Sequence, residues 1–165
     1  MNIFFVDNNP AQAARDLADK HVGKMLVESA QMLFTAVRKH GYTGGGYASA
    51  YENHPMTKWV AMSYWHAEWL LEHAIALAGE FQFRYGHPHK TQDMLPTLAA
   101  AVHKLMPDNG WRNPPRCIPD EFKIDYDTYE GDVPCHVASY REYYRVGKAH
   151  LHKWTGRSAP EWVRS

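Results

Sequence analysis

Three side chains early in the chain have the types and the spacing to do chemistry together. His21, Lys24 and Glu28 fall three and four positions apart. On a helix turning ~100° per residue, such positions share one face over two turns. A carboxylate beside an ammonium and an imidazole can serve as general base, general acid or electrostatic stabiliser. The same trio would also suit a solvated surface carrying an ordinary Lys–Glu pair, worth ~0.3–0.5 kcal/mol. Spacing alone does not separate the two readings, so the surrounding elements have to.

Those elements read as helices. Ile3 to Val6 is a short apolar run, expected as an extended stretch tucked into the body. Asn9-Pro10 supplies a cap residue and a proline at the first helical position. The pattern then predicts one helix to His40, with Gly41 as its stop. Val22, Leu26, Ser29, Leu33, Ala36 and Val37 make its apolar-to-small stripe. After a glycine-tyrosine loop, Asn53-His54-Pro55 opens a second long helix ending near Tyr85-Gly86. On it Trp59, Met62, Trp69, Leu70, Leu77 and Phe81 form a core-facing stripe. Pro96 marks the first turn of a shorter helix to about Met106, and a last helix is expected from about His136 to Trp154. Between them, residues 107–134 lose all periodicity, and so long an irregular stretch is usually functional or disordered. The expected architecture is all-α: a single compact domain over residues 1–165, of about four helices, with a long irregular Pro-rich loop before the last one.

Composition narrows the function classes. With 45% hydrophobic and 13% aromatic residues the chain can offset its ordering entropy. No apolar run approaches the ~20 residues of a membrane helix, and no basic-flanked signal segment opens it. Two cysteines, Cys117 and Cys135, make no disulfide framework and fit a reducing, cytoplasmic setting. Formal charge sums to zero, which excludes a bulk field drawing in nucleic acid from all sides, so any polyanion site must be local. Residues 141–157 are locally basic, with Arg141, Arg145, Lys148, Lys153 and Arg157 against Glu142. Interleaved with Tyr140, Tyr143, Tyr144 and Trp154, they suit phosphate and base contact. A solvated cationic face with inward tyrosines would read the same way. Arg38 and Lys39 end the first helix, and Arg84, His89 and Lys90 belong to a basic turn after the second. Cations at such places also complement the helix dipole. His54 is either a cap or a groove residue, and Trp162 in the tail is a candidate stacking side chain. The histidines lack zinc-type spacing, so no metal is expected. Gly44-Gly45-Gly46 has no following Lys-Ser/Thr and is no P-loop.

The order of several short motifs adds a resemblance. Leu17-Ala18-Asp19-Lys20-His21, then Glu28 seven residues on, then Ala36-Val37-Arg38-Lys39-His40 resembles the first helix of the phage-type pyrimidine-dimer DNA glycosylases, also called endonuclease V. Asn53-His54-Pro55 is similar to the opening of the second long helix in cellular relatives, and Pro160-Glu161-Trp162 to the family's C-terminal Pro-x-Trp. The resemblance implies an all-α enzyme that unstacks damaged DNA and cleaves the glycosidic bond of a pyrimidine lesion. A free α-amine at the chain start would attack the sugar C1′ and form a Schiff base, and the glutamate would stabilise the cationic sugar. Carried over, Glu28 is the catalytic carboxylate and His21 its neighbour on the DNA-facing stripe. The amine belongs to Asn2 if Met1 is removed, or to Met1 itself. The arginines that flank the family's glutamate are replaced by Val27 and by Gln31 or Met32, which leaves room for a damaged or modified base other than the dimer.

The expected function is therefore a DNA glycosylase with or without lyase activity. Asn2, His21, Lys24 and Glu28 would do the chemistry, and Arg38, Lys39, His54, Arg84, His89, Lys90, Arg141, Tyr144, Lys148 and Trp162 would meet DNA. It would act without a cofactor, as a monomer on damaged or modified double-stranded DNA, in the cytoplasm (the host's if phage-encoded). Two alternatives stand beside it: a base-modifying or nucleotide-processing enzyme on the same scaffold, and a non-catalytic helical module that binds nucleic acid.

Overall fold

The computed structural model describes residues 1–164. Among these residues the chain is helical and has no strand. Its helices are α1 (Pro10–Asp16), α2 (Asp19–Lys39), α3 (Pro55–Met62), α4 (Tyr64–Tyr85), α5 (Leu95–Leu105), α6 (Cys135–Glu142) and α7 (Glu161–Arg164). α2 and α4 pack side by side at the centre, with α1 laid on α4 and α3 on α2. No helix is long and apolar enough to cross a membrane.

Sequence periodicity places the helical stretches but misses two breaks. The helix expected from Pro10 to His40 is α1 and α2, separated by Leu17 and Ala18 in extended conformation. The break is held by residues far away in the chain. The Arg84 guanidinium donates to the carbonyls of Leu17 (2.7 Å) and Arg15 (2.8 Å), and the Ala18 N–H donates to the Tyr144 hydroxyl at 2.8 Å. Helix-end groups that would otherwise lie unsatisfied in the core thereby find partners. Likewise α3 and α4 part at Ser63, which is extended because Tyr64 N–H donates to Pro107 C=O (2.7 Å) and Ser63 Oγ accepts from Asn109 N–H (3.2 Å). Met62, expected in the core stripe, falls at this break and is exposed. α4 ends as expected at Gly86, whose φ of +77° places it in the left-handed conformation of a helix stop. The last helix is shorter than expected: after α6 the chain widens into a π turn over Tyr143–Gly147 and tightens to a 3-10 turn at Ala149–Leu151. Residues 107–134 are irregular apart from one short 3-10 turn, Asp120–Phe122.

The first six residues matter most for the site. Ile3, Phe5 and Val6 are fully buried and Phe4 nearly so. Phe5 stacks on Trp69 with ring centroids 3.8 Å apart, and Phe4 stacks on His21 at 4.6 Å. Burying each such side chain is worth about 1.5–3 kcal/mol, enough to keep the chain start from fraying. Phe4 reaches this position through a φ of +57°, an uncommon conformation outside glycine.

The Arg84 side chain has no exposed surface and sits 3.2 Å from Asp19 and 3.1 Å from Glu80. Its truncation strands the Leu17 and Arg15 carbonyls and leaves Asp19 only Thr155 and Glu80 only Arg157 as partners. Arg84→Met is expected to cost about 3–5 kcal/mol, measured as the loss in urea-unfolding free energy.

Candidate active site

Glu28 projects from the middle of α2 with its side chain 16% exposed. One carboxylate oxygen, Oε1, lies 3.8 Å from Nζ of Lys24, one turn earlier and mostly in solvent. The other, Oε2, accepts the backbone N–H of Asn2 at 3.1 Å. The buried run 3–6 thus delivers the second backbone nitrogen of the chain to a carboxylate 26 residues away.

Asn2 is fixed from three sides. Its Oδ1 accepts the Ile3 N–H at 2.8 Å and lies 3.2 Å from the Tyr140 hydroxyl, while its Nδ2 donates to the Cys117 carbonyl at 2.8 Å. Tyr140, fully buried on α6, is the hub. Its hydroxyl accepts the Cys117 N–H at 3.1 Å, and its one proton is shared between Pro115 C=O (3.0 Å) and Asn2 Oδ1. Burial raises the Tyr140 pKa, so the hydroxyl keeps its proton. Met1 lies against the body, its Sδ accepting from the Thr57 hydroxyl at 3.7 Å.

His54 caps α3: its Nδ1 accepts the Met56 N–H at 3.1 Å, so the neutral ring carries its proton on Nε2. Burial lowers its pKa, and the chain's terminal amine adds to this while Glu28 opposes it. The imidazole is therefore a neutral donor within electrostatic range of both. Burial, opposed in part by the same amine and by Lys123, pushes the Cys117 thiol up. On the far side Lys148 lies over the Tyr143 ring at 5.1 Å, and Lys148, Lys24 and His150 all act on His21. Lys24 thus lies beside the carboxylate, and Lys148 beside His21 one helix turn before Lys24, although the chain as a whole is neutral.

Of the expected site residues, the structure brings Asn2, Lys24, Glu28 and His54 together. Others are placed elsewhere. His21 is 4% exposed, not a member of the open stripe; its Nδ1 pairs with the Tyr144 hydroxyl at 2.7 Å. Burial, then Lys148 and Lys24, pushes its pKa down to about 4. Tyr144 is fully buried and cannot stack on a base. Arg84 lies in the core clamp described above, out of reach of any phosphate. Arg38 donates to the carbonyls of Tyr47 and Gly44 and lies over Phe34 and Tyr42, pinning the glycine loop. His89 caps the 3-10 turn that precedes α5 by accepting the Thr91 N–H. Arg141 donates to Val6 C=O and pairs with Asp7, and Trp162 donates to Asp16, so both strap the N-terminal segment. Lys39 and Lys90 are exposed at helix ends, and Lys148 is half-buried over the Tyr143 ring. Tyr140, Cys117 and Lys123 were not expected here. For Cys117 and Lys123 the signal was the length of the aperiodic 107–134 stretch, and Tyr140 stood out only as one of the aromatics among the basic residues. Among the described residues no cluster of three His, Cys, Asp or Glu could hold a metal ion.

Two measurements probe this arrangement. Tyr140→Phe removes the buried hydroxyl that joins Cys117 N–H, Pro115 C=O and Asn2 Oδ1 and is expected to lower the unfolding free energy by about 1–3 kcal/mol, read by urea denaturation. His21 and His73 both have pKa values pushed down to about 4, whereas an unfolded histidine titrates near ~6.5. Between those values the unfolded chain binds protons that the folded one refuses, so stability is complete above the upper value and falls as pH drops toward the lower. Urea midpoints at successive pH values are expected to decline across that window, less steeply in His21→Asn.

The comparisons bear on the same region. The sequence profile of the family described as pyrimidine dimer DNA glycosylase matches residues 1–94, more than half of the chain. No curated protein and no solved structure matches it. The matched span carries Asn2, Lys24, Glu28 and His54, whereas Cys117 and Tyr140 lie beyond it. On this match the chain belongs to the pyrimidine dimer DNA glycosylase family.

Proposed function

We propose that the protein releases a damaged or modified pyrimidine from double-stranded DNA, with Glu28 as the catalytic carboxylate and the chain-terminal amine as the nucleophile. The observation that carries this reading is the 3.1 Å contact between Asn2 N and Glu28 Oε2. Removal of Met1 turns that amide nitrogen into a primary amine already paired with a carboxylate. An α-amine has a reference pKa of ~7.7–8.0, so a useful fraction is unprotonated near neutrality, unlike a lysine at ~10.4.

The steps follow from that pair. The amine nitrogen bonds to C1′ as the bond from C1′ to the base breaks, and the base leaves with the electron pair and takes up a proton. Positive charge builds on the sugar during this step, and the Glu28 carboxylate faces it. Glu28 then accepts the proton that the nitrogen sheds and returns it to O4′ as the C1′–O4′ bond breaks with its electron pair on oxygen, and the nitrogen lone pair closes an iminium between residue 2 and C1′. Loss of a C2′ proton and cleavage of the C3′–O bond would nick the strand. Lys24 and Lys148 supply local positive charge for the flanking phosphates, a contact that weakens as salt rises. Lys39 and Lys90, exposed and cationic, are candidates for more distant phosphates.

A second reading rests on the ordered contact of Met1 with Thr57. If Met1 is retained, its own amine lies toward His54 and Cys117, and Glu28 activates a water instead. Borohydride reduction on a duplex with an abasic site separates the two: a covalent adduct mapped to residue 2 supports the amine, whereas base release without an adduct supports water. In either case Glu28→Gln is expected to cut base release by about 10²–10⁴-fold while DNA binding persists. Undiminished release by Glu28→Gln overturns the catalytic role. Binding without any release by the wild-type chain leaves the non-catalytic module.

A further inference from the structure

Tyr51 is 66% exposed, more than any other large apolar side chain among the described residues. Within the same residues its ring and hydroxyl make no hydrogen bond and no ring contact. Its backbone is unusual as well. Phe4 and Tyr51 are the two described residues other than glycine with positive φ, at +57° and +51°. That conformation is sterically costly for any residue with a Cβ, and glycine or asparagine would take it with less strain. Phe4 offsets the cost through burial and its stack on His21, whereas Tyr51 stands mostly in solvent. A strained and solvated aromatic serves no stabilising end, and such outliers cluster at functional sites.

Hydrogen bonds on both sides fix where Tyr51 stands. Before it, the Ala50 N–H donates to Thr35 Oγ1 on α2 at 3.1 Å. Thr35 follows Glu28 by seven residues, so it shares that face two turns, about 10 Å, further along the helix. After it, the Tyr51 carbonyl accepts the His54 N–H at 2.9 Å and closes a turn into α3. Thr57, in the first turn of α3, donates to Met1 Sδ, next to the Asn2 nitrogen that meets Glu28. The chain from Ala50 to Thr57 thus runs back along α2 toward the carboxylate, with Tyr51 between the two anchors. Its ring is flat and uncharged, and the exposed Glu52 beside it repels phosphates, so the place suits a base. We propose that Tyr51 enters the duplex as a wedge beside the lesion, stacking on the neighbouring base and parting it from the damaged nucleotide. Aromatic side chains stack on any base, and apolar wedges kink the duplex as they enter. This inference rests on Glu28 as the reaction centre.

Tyr51→Ala tests the wedge, with Tyr51→Gly and Tyr51→Phe as companions. Base release from a lesion-containing duplex is expected to fall about tenfold or more in Tyr51→Ala and Tyr51→Gly, and Tyr51→Phe to recover most of that loss. Tyr51→Gly relaxes the backbone, so its melting temperature is expected to equal or exceed that of the wild type. Where the lesion faces a mismatch its stack is already weakened, and the loss in Tyr51→Ala is expected to shrink. Bending of a duplex labelled at both ends for energy transfer gives a readout independent of turnover. Glu28→Gln protein is expected to bring the ends closer, and adding Tyr51→Ala to that variant to lessen the effect. Unchanged release and bending in Tyr51→Ala overturn the wedge, as does a loss that Tyr51→Phe does not recover. A lowered melting temperature in Tyr51→Gly overturns it too, by assigning the side chain to the fold. Undiminished base release by Glu28→Gln alone would instead overturn the parent reading, while the bending measurement still decides the wedge.

Discussion

A chain start is ordinarily the least ordered part of a domain. Here it is the most constrained, because Ile3, Phe5 and Val6 are threaded through the core and leave the second residue no freedom to drift from Glu28. Every other feature of the site depends on that threading. A backbone nitrogen is worth little to chemistry unless something holds it still. Hydrophobic burial does so without spending any polar group of the site. The directional contacts from Tyr140 and Cys117 then set the orientation of Asn2.

The carboxylate is positioned by a different kind of force. The direction of α2 is set at its first turn, where Arg84 bridges Asp19 and Glu80 and Arg157 completes the cluster from the tail. Such buried ion clusters contribute modestly to net stability compared with apolar packing, yet breaking them is costly. Their use here is geometric. Leu17 and Ala18 would continue a helix as readily as end one, and a cation delivered from α4 stops them. Thr155 and Lys153 bind Asp19 from the C-terminal side, so the tail takes part in fixing the same turn.

Much of this was legible in the sequence. The stripe of Val22, Leu26, Leu33 and Val37 fixes which face of α2 is dry, and it follows that Lys24 and Glu28 reach toward solvent. His21, three residues from Lys24, looked equally exposed. It turns inward because Phe4 and Tyr144 arrive from both ends of the chain, and a heptad-scale pattern carries no record of such partners. The breaks at Leu17-Ala18 and Ser63 were hidden for the same reason: neither holds a glycine or proline, and each is enforced by hydrogen bonds across more than forty residues. The tyrosines of the basic stretch illustrate the ambiguity of aromatic residues among cations. Tyr140 and Tyr144 became core, whereas Tyr143 lies under Lys148. Length alone flagged residues 107–134, and no local motif could say that Pro115 and Cys117 end beside residue 2.

The inward course of the first residues has a practical side. Met1 lies against Thr57 and its amine acts electrostatically on His54 and Cys117, so anything fused ahead of it would emerge on that side. An affinity tag or a leftover linker at this end would crowd the space beside Glu28 and would lock in a peptide bond the nitrogen that we propose as nucleophile. Handling the protein through its opposite terminus keeps that side clear.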